Sequence, residues 1–439
     1  MRERHRIPVP RVLTVLGIVG FLFSVPAYPS GFQVMTQGAK ATGMGLAFAG
    51  VADDPSAIFY NPAGMAFQEH FAVQAGGAVL GRFPTDFTGA NPYPGVGQNG
   101  SVDDTQQFLI PHLYMIVPLT TELNFGLGID APYGLGLRWD NPNTSWSGQF
   151  ISQNAVIKAL DINPVFSYKL FPELSIAAGA DYRFSGLQLE QNIPAVNPFT
   201  GAVQAVGHSK LYSNLLDNGG WGWNVGIMWK PSPNFGLGGG YRSKITVNYE
   251  GTATITPRAT GNPVFDALAA ASLPLGEHPV ATSIEFPASA NIGAGLGLGA
   301  GLTLALEADW TQWSSFSSLD IIFPTGFAPD VHRITDWQDS WAYRVGLEKK
   351  FGDWALRVGY YYDNTPQPTK DAGPILADND RNVYSFGFGY NTPQWGFDVG
   401  GLYIAFKERE VLTPPQTDNF FGTYSENAWA AVADLRISF

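Results

Sequence analysis

The stretch GFQVMTQGAKATGMGLAFAGVADDPSAIFYNPAG, Gly31 to Gly64, decides how the chain is read. Glycine at positions 31, 38, 43, 45, 50 and 64 interrupts it too often for a stable helix. Its apolar residues, among them Phe32, Val34, Met44, Phe48 and Ile58, are too many for a solvated leader. A half-apolar segment of small residues needs walls around it. The rest of the chain is expected to build them, with this segment as a plug inside a barrel.

Ahead of it, Arg2, Arg4, Arg6 and Arg11 precede the apolar run 12–25 and then Pro26-Ala27. A basic region, a short apolar core and a small residue predict a secretion signal over 1–30, cleaved after Ala27 or Ser30. The apolar core is too short to span a bilayer as a helix, which takes about 20 residues. Only 14% of the chain is charged, against about 25% in a typical soluble domain. Hydrophobic residues make up 45%, and no later segment offers a spanning helix. A secreted chain of that kind predicts a β-barrel. The net charge of −12 argues against nucleic-acid binding. The absence of cysteine excludes disulfides and thiolate metal sites.

Alternation supports the barrel. Trp429, Ala431, Ala433, Leu435, Ile437 and Phe439 share one face of the last segment, with Asp434, Arg436 and Ser438 on the other. Leu302, Leu304, Leu306 and Trp310 oppose Thr303, Glu307 and Asp309 in the same way. Strands are expected near 69–83, 105–118, 121–137, 148–170, 173–190, 208–230, 234–256, 281–299, 301–322, 339–350, 353–362, 381–391, 395–407 and 425–439. Tight turns alternate with long excursions between them, the pattern of short periplasmic turns and long outer loops. The expected fold is all-β: a 14-stranded antiparallel transmembrane β-barrel over 69–439, with an amino-terminal hatch over 31–68 in its lumen.

The opening stretch also resembles the hatch of the FadL family, outer-membrane channels for long-chain fatty acids and other hydrophobic molecules. Gly31-Phe32-Gln33, the Gly/Ala run, Ala52-Asp53-Asp54 and Asn61-Pro62-Ala63 occur in the family's order. Asn-Pro alone is a turn, and this chain repeats it at Asn91, Asn141, Asn163, Asn197 and Asn262. The ordered assembly carries the likeness. Trp310-Thr-Gln-Trp-Ser-Ser-Phe316, Tyr241-Arg242-Ser243 and the segment 343–368 extend it over nearly the whole mature chain. The final Phe439 resembles the terminus by which outer-membrane barrels are recognised for assembly. The resemblance implies residence in the outer membrane of a Gram-negative bacterium. Its implied partners are hydrophobic small molecules, membrane lipids and the barrel assembly machinery, with a monomer expected.

Pro132 interrupts the third strand and Pro111 the second; each removes a ladder donor. A bulge that only shapes the barrel accounts for both. The resemblance implies instead a lateral gate at Asp130, Pro132 and Gly134, where cargo leaves sideways into the outer leaflet. It further implies a pocket capped by Phe32 and Val34, and a capture groove of two outer loops carrying Phe199, Phe265 and Leu268. Phe265, Leu268 and Ala269 are expected on one side of a short helix. Tyr133 and Arg183 complete the candidate ligand-binding residues. Arg183, Arg242, Lys244, Arg344 and Arg357 have lumenal parity and are able to hold a carboxylate. Pairing with Asp181, Glu307, Asp309 or Glu348 is the alternative. The inward glycines 236, 238 and 240 and 293, 295, 297 and 299 leave a bare wall against which the hatch backbone is expected to pack.

Beyond the expected signal the histidines (His70, His112, His208, His278 and His332) are scattered, and with no nucleophile motif they argue against an enzyme. No ATP or ion-coupling motif is evident, so no cofactor is expected. The expected function is passive transport of hydrophobic compounds, foremost long-chain fatty acids. The alternatives are aromatic or aliphatic hydrocarbons by the same route, or a general porin for small polar solutes.

Overall fold

The computed structural model describes residues 31–83, 86–90, 100–101, 107–139, 146–412, 414 and 417–439. The expected signal at 1–30 lies outside them, as do parts of the loops at 84–104 and 138–147. Fourteen antiparallel strands form the wall. Strands β1 (Ala72–Arg82) and β2 (Gln107–Pro118) are followed by β3, in two arms, Leu123–Asp130 and Gly134–Arg138. Then come β4 (Asn154–Phe171) and β5 (Leu174–Val196). The next four strands are also in two arms each: β6 (Val203–Ser213, Gly219–Ser232), β7 (Phe235–Arg242, Ile245–Pro257), β8 (Gly276–Phe286, Ser289–Gly299) and β9 (Leu302–Thr311, Ser318–Ile322). Strands β10 (Ser340–Phe351), β11 (Trp354–Asp363), β12 (Arg381–Asn391), β13 (Trp395–Phe406) and β14 (Asn427–Ser438) complete the wall. Pairing of β14 with β1, from Ala72↔Ser438 to Arg82↔Ala428, closes the cylinder.

The two faces separate as the alternation predicts. In β14, Ala431, Ala433, Leu435 and Ile437 are exposed while Ala430, Val432 and Asp434 are buried. Trp221, Ile227, Ile292, Val358 and Phe386 likewise point outward. Among the described residues no helix is long and apolar enough to cross a membrane; the strands provide the apolar surface.

Two expectations on strand length need correction. β4 begins at Asn154 rather than 148, and β5 and β6 extend to Val196 and from Val203. The loop expected at 191–207 is therefore reduced to 197–202. Beyond the membrane a strand is wetted on both faces, so the apolar–polar contrast that marks its ends in the sequence disappears. The outer segments Asp86–Ala90, Gly100–Ser101, Arg409–Val411 and Phe421–Ser425 also form a small sheet above the barrel. Phe87, Trp139, Trp146 and Phe420 make its core, with Trp139 and Trp146 stacked at 4.2 Å.

The segment from Gly31 to Phe67 lies inside the cylinder with nearly every residue buried. It holds only short helical turns: α1 (Ala39–Gly43), α2 (Ala57–Tyr60) and a 3-10 turn, Pro62–Phe67. Its backbone lies directly on wall glycines. A Cβ on Gly400 of β13 would stand 2.6 Å from the Ala39 oxygen, and one on Gly295 of β8 2.9 Å from the Gly50 oxygen. Gly236 and Gly238 of β7 face Gly50 and Ala49, so part of the bare wall read in the sequence is where the hatch docks, while Gly297 faces Asn234 and Gly299 lies clear of it.

Candidate functional site

Polar groups on the wall hold the hatch where apolar packing leaves backbone donors over. Glu307 of β9 accepts from Phe48 N at 2.7 Å and Ala49 N at 2.6 Å through one carboxylate oxygen. Asp434 of β14 accepts from Ala39 N at 2.7 Å and lies 2.6 Å from Nε2 of buried His112. Asn61 explains the Asn-Pro-Ala element. Its Oδ1 caps the turn at Ala63 N, and its Nδ2 donates to Ala49 O in the hatch and Ile227 O in β6. Pro62 follows at the first position of the turn, where its missing N–H costs nothing. Ala63 O accepts from Ser175 of β5 at 2.7 Å. Within the hatch, Lys40 donates to both oxygens of Asp53. Burial disfavours the Lys40 ammonium, yet Asp53 and Glu348 outweigh it and hold the pKa above the ordinary lysine range. Burial pushes Asp54 up to about 6, even though it accepts from Ser56 N.

Strand β3 breaks between Asp130 and Gly134, the ends of the segment foreseen as a gate, with Pro132 in the gap. Below the break Asp130 pairs with Asp161, and above it Gly134 pairs with Lys158. Residues 131–133 thus oppose only 159 and 160 on β4, one residue too many, which is a bulge. On the other side the β2–β3 ladder stops at Leu113↔Ile129. Above that point Gln107–His112 pairs with β1 alone, and the upper arm of β3 has turned into the lumen. Gly134, Leu135, Gly136 and Leu137 are all buried, with no alternation left. The wall therefore carries a seam between β2 and β3. Pro111 and Pro132, read in the sequence as two missing donors, flank it.

The first residues of the hatch satisfy the broken backbone. Val34 N donates to Pro132 O at 2.7 Å, and Gly134 N donates to Phe32 O at 2.8 Å. Gln33 and Tyr133 form an antiparallel bridge between them. Gln37 Nε2 reaches Ala131 O at 2.7 Å. A short strap thus stands in for the missing neighbour strand. Val34 belongs to this strap.

Phe32 occupies an aromatic cage: Trp313 at 4.7 Å, Phe316 at 5.4 Å, Phe286 at 5.9 Å, and Tyr133 and Trp337 at 6.0 Å, centroid to centroid. The cage forms where β8 and β9 are interrupted, which turns these rings inward together. Tyr133 is fixed by its hydroxyl on Pro287 O at 3.2 Å. Phe32 borders a largely apolar cavity with Leu135, Ile157, Leu187 and Ile284. A second cavity lies beside Gln33 and Met35 and is lined by Asp181, Arg183, Arg242 and Arg344.

Arg183 is held by one carboxylate and two rings. Nε and Nη2 donate to Asp161 at 2.8 and 2.7 Å, and the guanidinium lies 4.3 Å from the Tyr133 ring centre and 4.7 Å from that of Phe286. Arg242 pairs with Asp181, Arg344 with Asp309, and Arg357 with Glu348 and Asp398. Lys244 departs from its expected parity. It sits in the interruption of β7, half exposed, on Glu285.

Of the outer-loop residues expected to form a capture groove, Phe265 is buried while Phe199 and Leu268 are exposed. Helix α3 (Pro263–Ser272) is capped by Asn262 and turns Phe265 and Ala269 down onto Val206. Leu268, expected beside Phe265, is 56% exposed, because the buried stripe runs i to i+4 only. Phe199 is exposed on the β5–β6 loop. Sequence reading missed Gln37, Glu307 as a hatch ligand, and Trp313 and Trp337 of the cage. The alternation failing after Trp310 was the available signal for Trp313.

The comparisons with known proteins agree with this architecture. Residues 20–439 match the family described as outer membrane protein transport protein (OMPP1/FadL/TodX). The chain is 22% identical to the long-chain fatty acid transport protein of Escherichia coli O6:H1, over 89% of this chain and 90% of the relative. It is also 22% identical to outer membrane protein P1 of Haemophilus influenzae, over 91% and 93%. The structure of a Pseudomonas aeruginosa FadL homologue superposes with a TM-score of 0.77 at 22% identity, covering 93% of this chain and 100% of that one. The Pseudomonas putida toluene transporter TodX gives 0.66 at 19% identity, covering 95% and 99%.

Proposed function

The chain belongs to the OMPP1/FadL/TodX family of outer membrane transport proteins, and on that premise we propose that it takes up hydrophobic compounds by a lateral route. Cargo enters from the outer loops, rests in the apolar cavity beside Phe32, and leaves through the seam between β2 and β3 into the outer leaflet. The observation that carries this reading is the ladder ending at Leu113↔Ile129 beside a buried upper arm of β3. An unpaired strand edge in lipid costs several kcal/mol per orphaned group, so a seam is retained only where it is bridged or used. Here the strap pairs with the β3 side of it from inside. Asp130, Pro132 and Gly134 frame the exit, and Phe32, Val34 and Tyr133 close it when cargo is absent. Phe199 and Leu268 serve as exposed first contacts, while Phe265 supports the loop. Arg183 keeps Tyr133 and Phe286 in place.

The names of the relatives include a fatty acid transporter and a toluene transporter. Both cargoes suit an apolar cavity with a sideways exit. A porin for polar solutes fits less well, because the hatch backbone is wedged onto wall glycines on several sides of the barrel. Deleting Pro132 tests the route, since it restores two residues against two on β4. The variant is expected to form the barrel, to bind cargo and to lose uptake of a hydrophobic tracer. Uptake at the parent rate would refute lateral exit.

A further inference from the structure

We propose that the cargo is an uncharged hydrophobe, and that Asp418 is a specificity-determining residue that neutralises Arg333 at the rim of the apolar cavity. The inference rests on the reading of that cavity as the cargo site. Arg333 is the cation on the cavity wall, where it stands with Thr335, Gln367 and Asp371 among apolar residues. Its two terminal nitrogens donate to the two oxygens of Asp418, each at 2.6 Å. The pair is largely withdrawn from solvent, with 19% and 10% of the side chains exposed. A planar bidentate pair uses the fork that would otherwise grip a carboxylate ligand.

The neighbouring donors are spent too. Thr335 Oγ1 donates to Phe316 O at 2.5 Å, and Gln367 Nε2 donates to Leu376 O at 2.8 Å and Asp371 O at 3.1 Å. An acceptor at the rim is also left over. Oδ2 of Asp371 is buried without a hydrogen-bond partner.

The same balance holds deeper in the lumen. Arg183 is matched by Asp161, Arg242 by Asp181, Arg344 by Asp309, and Arg381 by Asp363 and Asp378. At the gate, both oxygens of buried Asp130 have no hydrogen-bond partner. A carboxylate carried by cargo would find guanidiniums already matched by carboxylates along its path, and the acid of each pair opposes it. An alkyl ester, an alkane or an alkylbenzene meets no such obstacle.

Two matched pairs of probes test this with the full mature protein in amphipol, read by the fluorescence of the cavity tryptophan Trp337: methyl laurate against laurate, and toluene against benzoate, at about pH 8 where the acids are ionised. The neutral member of at least one pair is expected to saturate at about tenfold lower concentration than its acid, or roughly 1.4 kcal/mol. Asp418→Asn is expected to improve the acid of that pair by about tenfold and to leave the neutral member nearly unchanged, while Arg333→Met keeps the acid weak. Acids binding the parent protein as tightly as the neutral probes would overturn the proposal without any variant. So would an Asp418→Asn protein with unimproved acid binding. If no probe of either pair binds, the cavity is not the cargo site and the transport reading falls with the proposal.

Discussion

Glu307 shows how much of the hatch depends on single side chains. One oxygen of its carboxylate takes two consecutive backbone N–H groups, Phe48 and Ala49, at a bend whose own carbonyls point elsewhere. A hydrogen bond contributes about 0.5–1.5 kcal/mol net, and removing the acceptor leaves both donors buried and unsatisfied. Glu307→Ala is therefore expected to loosen the hatch without unmaking the barrel. Limited proteolysis within 44–56 should become at least about tenfold faster, the factor that 1.4 kcal/mol produces. Asp54 acts in the opposite sense. Burial raises its pKa from 3.8 to about 6. A raised carboxyl pKa means that the seated hatch prefers the protonated acid. Its contribution is complete below about pH 4 and is lost as pH rises through about 6. The difference of about 2 pK units corresponds to about 3 kcal/mol at neutral pH. Cleavage of the hatch should thus be slower at about pH 5 than at about pH 7.5, and Asp54→Asn, which keeps the acceptor for Ser56 N, should remove that dependence.

Among elements, β3 is the most informative because its two arms follow different rules. The lower arm alternates like every other wall strand and was legible as such from Phe125, Leu127 and Ile129. The upper arm keeps the same parity in sequence, Leu135 and Leu137, yet buries both faces because it has left the wall. Periodicity cannot distinguish these states; Pro132 could, since it marks where a ladder donor is missing. The strap was not legible. Phe32 to Val34 look like any short β segment, and nothing local says that Pro132 O and Gly134 N are their partners. The bends in β6 to β9 were missed for a related reason. Each is a brief loss of alternation inside a long segment, and the gain at β8 and β9, rings converging on Phe32, appears only in three dimensions. Helix α3 illustrates the remaining ambiguity, because an i to i+3 stripe with Leu268 and an i to i+4 stripe with Ala269 fit its sequence equally well.

For the whole molecule, the barrel and its obstruction were both visible in composition and pattern. Low charge, many strands of even alternation and a glycine-broken start leave few alternatives. The docking of that start was readable from glycines 236, 238, 293 and 295, whose missing side chains make sense only if another backbone fills the space. Deleting residues 31–64 should therefore convert a nearly silent protein into an open pore, seen as a large stable conductance in planar bilayers. A deletion variant that remains silent would show that the outer sheet, not the hatch, seals the lumen.

The account turns on the strap over the β3 break being the element that must release for cargo to leave. Gln33 and Tyr133 face each other as an antiparallel pair flanked by, rather than joined by, the two strap hydrogen bonds. Such pairs bring their Cα atoms to about 4.5 Å, within reach of a disulfide. The chain has no cysteine of its own, so the double variant Gln33→Cys/Tyr133→Cys carries a single possible crosslink. The measurement is uptake of a hydrophobic tracer by outer-membrane vesicles containing this variant, oxidised and then reduced. The account predicts that oxidation abolishes uptake and that dithiothreitol restores it. Equal uptake by the oxidised and reduced forms would contradict it.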